Sequence, residues 1–95
     1  MPEYKVAHIH EQGQDMIVVP LDRSFGYKTT QEQNQISAAL QLCASRAGLR
    51  GTVVCVWDSG GGRMGFLAPR NWHPFFSSIN LSFVARNVNR TLTCQ

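Results

Sequence analysis

The run Thr52-Val-Val-Cys-Val-Trp57 constrains this chain more than any other segment. Successive side chains of a strand point to opposite faces, so apolar residues at consecutive positions place apolar surface on both sides of the sheet. Either the chain covers both faces itself, or one face meets another protomer. With only 95 residues there is little material for covering two faces. The spacing therefore points to self-association, with Val53, Cys55 and Trp57 together on the face that a second copy shields by sheet stacking or edge pairing. The competing arrangement has the terminal segment folded back over that face.

The segments around this strand read as an α+β domain. Tyr4 to Glu11 alternates, Gln12-Gly-Gln-Asp15 suits a reversal, and Met16 to Leu21 is a second strand placed at an edge or ended by Pro20, which lacks a backbone donor. Asp22 to Lys28 is a loop. From Thr30, a capping hydroxyl with Gln33 three residues on opens a helix over 31–47. Ile36, Ala39, Leu40, Cys43 and Ala47 form its buried stripe, Gln31, Glu32, Gln35, Gln41 and Ser45 its wet face, and Gly48 closes it. Gly51 to Trp57 is followed by a glycine turn at Asp58-Ser-Gly-Gly-Gly62 and an antiparallel strand at Arg63 to Ala68. A short helix over 72–79 follows Pro69. Leu81, Phe83 and Ala85 alternate as a strand, although Phe76, Ile79, Phe83, Val84 and Val88 also fit one longer helical stripe. A turn at Asn87 to Asn89 and a strand from Arg90 to Cys94 end the chain.

The predicted order is β-β-α-β-β-α-β, with room for an additional terminal strand, in an antiparallel or mixed sheet carrying two helices on one face. One compact domain spans residues 1–95. No apolar run approaches the length of a membrane span, and the first residues lack the pattern of a secretory leader, so a small soluble cytoplasmic protein without membrane contact is expected. Cys43, Cys55 and Cys94 are odd in number and far apart. They do not resemble a disulfide framework, and Cys43 and Cys55 read as buried thiols. Asn80-Leu-Ser and Asn89-Arg-Thr match a glycosylation pattern that carries no weight without a leader.

Residues suited to chemistry are present but not in a complete arrangement. His8 and His10 share a strand face, and His73, Glu11, Asp58 or Cys94 are the available third ligands for zinc, yet the spacing identifies no metal motif. Cys94 with His73, or Ser59 with Asp58 and a histidine, supplies nucleophile and base types without a nucleophile elbow. Gly60-Gly-Gly62 beside Arg63 fits a hairpin turn better than a phosphate nest. No metal, cofactor or catalytic residue is therefore assigned.

Charge is more informative. Residues 1–45 carry a formal charge of −2 and residues 46–95 one of +5. Arg46, Arg50, Arg63, Arg86 and Arg90 are candidate anion contacts, while Trp72, His73, Phe75 and Arg70 are candidate ligand or partner contacts against a reading as core packing. The sequence favours a small non-enzymatic protein-binding or homo-oligomeric adaptor domain. The alternative is a single-stranded nucleic-acid-binding protein using the arginine-rich second half, a partner less favoured because no motif organises these arginines.

Overall fold

A computed structural model describes residues 3–11 and 13–94. In chain order the elements are β1 (Glu3–Glu11), β2 (Gln14–Pro20), a 3-10 turn (Arg23–Tyr27), α1 (Thr30–Arg46), β3 (Thr52–Gly60), β4 (Arg63–Leu67), a second 3-10 turn (Arg70–Trp72), α2 (His73–Ser78), α3 (Leu81–Arg86) and β5 (Arg90–Thr93). The strands make one mixed sheet in the order β4-β3-β2-β1-β5. Pairing is antiparallel except between β2 and β3, where Ile17 lies beside Val53 and Val19 beside Cys55. This is the α+β class and nearly the order that the sequence implies. The reversal between β1 and β2 includes Gln12, which lies outside the described residues.

The sheet buries both faces within one chain, and this corrects the expected placement of the helices on a single side. On one face Val6, Ile17, Val19, Val53 and Cys55 pack with Leu40 and Ala44 of α1, with Phe25 and with Leu92. On the other, Ala7, Met16, Val18, Val54 and Val56 pack under Trp72, Phe76 and Val84, delivered by α2 and α3. Alternation accounts for the division, since Val53 and Cys55 go to one layer and Val54 and Val56 to the other. Each fully buried branched side chain contributes about 1.5–3 kcal/mol, and β3 makes this contribution on two sides.

Pro20 ends β2, as its missing donor requires, yet β2 sits inside the sheet and the ladder continues through a 2.7 Å bond from Leu21 N to Val56 O. The strand expected at 81–85 is α3. The chain breaks at Ile79, and the Asn80 side chain caps the new helix by accepting from Phe83 N at 2.9 Å. A polar cap thus turned an alternating segment into a helical one.

The long helix starts one residue earlier than the sequence pattern implied. Thr29 is its cap, and the reciprocal partner is Glu32 rather than Gln33. The helix ends at Arg46, one residue before the expected 47, and Gly48 follows the cap at φ 79° as expected. Ala39 and Ala47 are exposed, and Leu40 with Ala44 forms the buried centre of the stripe. Gln41, assigned to the wet face, turns inward. Its carboxamide donates to Gly51 O at 3.0 Å and accepts from Val53 N at 2.8 Å, fixing the entry to β3.

A disulfide joins Cys43 of α1 to Cys94 just beyond β5. The expectation of a buried thiol at Cys43 is therefore corrected. Folding brings together two cysteines 51 positions apart, with Cα atoms separated by 5.4 Å. Closing a loop of that length restricts the unfolded chain by about 4 kcal/mol. Cys94→Ser should lower stability by about 2–4 kcal/mol in urea titration under oxidising conditions, and the difference from wild type should vanish when wild type is reduced.

Trp57 is held on the α1 side by a tilted contact with Phe25 at a ring-centroid distance of 5.0 Å. Its indole lies directly against Gly26 and Gly65; a Cβ at Gly26 would stand 2.6 Å from Trp57 Nε1, and one at Gly65 would also collide with the ring. Gly65→Ala should displace the indole and cost about 1–3 kcal/mol, read as a shifted Trp57 indole resonance together with a lowered unfolding midpoint.

Candidate functional site

Of the three residues expected at a self-interface, Val53 and Cys55 are enclosed within one chain and Trp57 is partly so. Val53 and Cys55 lie beneath α1, and Trp57 is half-buried against Phe25. The reason is that α1, rather than a second copy, covers this face. Burial pushes the Cys55 thiol up to about 11, although a hydrogen bond with Ser37 opposes the shift. The expectation of a buried thiol thus holds at Cys55.

The histidines are occupied separately. His8 Nε2 meets Arg50 O at 2.8 Å and His73 Nε2 meets Ala68 O at 3.0 Å; a carbonyl only accepts, so each of these nitrogens carries its proton. His10 Nδ1 pairs with Asp15 Oδ1 at 2.7 Å. Among the described residues, no three His, Cys, Asp or Glu side chains converge as metal ligands. Cys94 is committed to the disulfide. Ser59 Oγ donates to Arg63 O, and Asp58 accepts from Gly60 N and Arg23 Nη2. These two nucleophile candidates therefore have other hydrogen-bonding or covalent partners. Gly60, Gly61 and Gly62 form the β3–β4 turn with φ of 98°, 59° and 77°.

Asn89 has a role that the sequence did not suggest. Its Oδ1 accepts from His8 N at 2.9 Å and its Nδ2 donates to His8 O at 3.0 Å, so one side chain extends the β1–β5 ladder by a rung. The glycosylation pattern at this position falls on an amide already engaged. Only the residue type, which offers a donor and an acceptor together, was visible beforehand.

The aromatic segment acts as a lid over the sheet. Trp72 is buried, Phe75 meets Phe76 edge-on at 5.1 Å and Phe83 at 6.3 Å, and His73 stands edge-on to Phe66 at 5.2 Å. Packing is thus what these candidate ligand contacts do here, while Arg70 is exposed beside them. The arginines do not share one face. Arg50 precedes β3 and Arg63 follows it, so nine strand residues, about 30 Å, separate them. Arg46 ends α1, Arg86 ends α3 on the opposite layer, and Arg90 begins β5 beside Val6. All are exposed, and none is in an ion pair among the described residues, where the pairs are His10–Asp15 and Arg23–Asp58.

One surface combines concavity, exposed apolar area and charge. Between α1 and the end of β5 lies a groove of about 350 Å³ lined by Tyr4, Ile36, Ala39, Leu40, Leu42, Arg46 and the Cys43–Cys94 bridge. Leu42 is 53% exposed at its rim. The sequence could not mark it because Leu42 falls outside the buried stripe and its neighbours come from both ends of the chain. No protein-family model, curated protein or solved structure matches this chain.

Three surface carboxylates are held below their usual range. Asp15 is lowered chiefly by the His10 hydrogen bond, Glu32 by the Thr29 amide and hydroxyl, and Asp58 by the Gly60 amide and then Arg23. A depressed native value means that the unfolded chain takes up protons first as pH falls. The stabilisation is complete above the ordinary carboxylate range and is lost as pH drops through the native values. A triple variant, Asp15→Asn, Glu32→Gln and Asp58→Asn, should lose stability less steeply than wild type between about pH 5 and pH 2, measured by urea titration.

Proposed function

We propose that the protein is a non-enzymatic protein-binding domain that uses the α1–β5 groove. The observation carrying this reading is Leu42, a large apolar side chain left 53% exposed at the rim of an apolar concavity whose charged member is Arg46. An apolar centre with a polar margin is the composition of a protein contact, and a buried anchor there would supply most of its affinity. No helix among the described residues is long and apolar enough to cross a membrane. The Cys43–Cys94 bond favours an oxidising compartment over the cytoplasmic location that the sequence suggests.

Single-stranded nucleic-acid binding remains the second reading because all six arginines of residues 46–95 are exposed. Their spread over both layers gives that reading a weaker geometric basis than the groove. Quantitative affinity purification with wild type beside Leu42→Lys is the test. Protein partners recovered by wild type and lost with the variant support the groove. Binding to a single-stranded oligonucleotide that weakens with salt and on Arg50→Ala or Arg90→Ala, but not on Leu42→Lys, would favour the second reading.

A further inference from the structure

We propose that the partner of this surface is a second copy of the chain, with two α1 helices packed antiparallel about Ala39. This deepens the protein-binding reading and rests on it. Glu32, Gln35, Ala39, Leu42 and Arg46 are exposed and recur at alternating steps of three and four, the spacing of a seam between two helices. The seam is nearly symmetric about Ala39. A two-fold axis there brings Leu42 of one copy over Ile36 of the other, and Arg46 towards Glu32, once on each side of the axis.

Charge selects the antiparallel direction. A parallel pairing in register would oppose Arg46 to Arg46 and Glu32 to Glu32, whereas the antiparallel one joins opposite charges and opposes the ends of the helix dipoles favourably. Both charged groups have capacity to spare. Glu32 uses Oε1 in the helix cap, its Oε2 is in no hydrogen bond among the described residues, and Arg46 is in no ion pair among them. Ala38 and Ala39 leave the centre of the seam low enough for close approach of the axes. Leu42 then reaches the groove beside Ile36 and Tyr4, which accounts for both its exposure and the concavity.

The test is sedimentation of the full chain under oxidising conditions from about 1 µM to about 1 mM, a range that covers weak symmetric contacts. Wild type should pass from monomer to dimer, and Leu42→Lys should weaken the dimer by at least about tenfold. Arg46→Glu and Glu32→Lys should each be monomeric alone because like charges then meet twice. An equal mixture of the two should restore a dimer containing one of each. Circular dichroism should show that each variant retains its helix, and because loss of the helix cap cannot create a mixed dimer, the mixing result does not depend on Glu32→Lys being as stable as wild type.

Wild type remaining monomeric throughout, dimerisation undiminished by Leu42→Lys, or mixed variants failing to associate would each overturn the proposal. A monomeric wild type that still captures a different protein through Leu42 would overturn self-association while leaving the protein-binding reading in place.

Discussion

The fold depends on the requirement that β3 be dry on both sides. Val53, Val54, Cys55 and Val56 are all buried, and one helical layer cannot reach all four side chains. The chain meets this requirement by dividing its helices. α1 leaves β2, covers the first face and returns to β3, so these two strands run parallel; α2 and α3 arrive later and close the second face. A sheet of five strands thus has a complete core in a chain of 95 residues.

Two carboxamides tie the sheet's margins, one to the helix above it and one between neighbouring segments of the sheet itself. Gln41 bonds to the backbone entering β3, and Asn89 bonds to the backbone of β1 immediately before β5 begins. Each presents a donor and an acceptor with nearly the geometry of a peptide group, so each substitutes for a strand residue where no strand is present. The helix and the last strand are consequently fastened to the sheet by polar contacts at its margins, while apolar packing holds its interior.

Local signals in the sequence were largely reliable, and non-local ones were not. The strand pattern around β3, the glycine turn before Arg63, the helix ending at Gly48 and the final strand from Arg90 all follow from spacing and turn chemistry within a few residues. The conversion of 81–85 into α3 depended on Asn80 acting as a cap, a signal that competed with clear alternation. Helix placement on two faces, the enclosure of Val53 and Cys55, and the Cys43–Cys94 bridge depend on contacts between distant segments. The groove belongs to the same category. Leu42 was an ordinary surface residue and Arg46 a candidate anion contact in a helical pattern until the end of β5 brought Cys94 to the same wall.

The burial of Cys55 also bears on how the chain keeps its covalent bond. Three cysteines permit three different single bridges, and two of them would tie Cys55 to a distant segment. In the folded chain its sulfur lies under α1 beside Ser37, protonated and shut away from solvent, while Cys43 and Cys94 sit at the margin of the same layer. Thiol exchange proceeds through an accessible thiolate, so in the assembled fold Cys55 is withheld from exchange with either half of the bridge. The odd cysteine is thereby kept out of thiol exchange in the folded chain, and the Cys43–Cys94 bridge is shielded from attack by the chain's own third thiol.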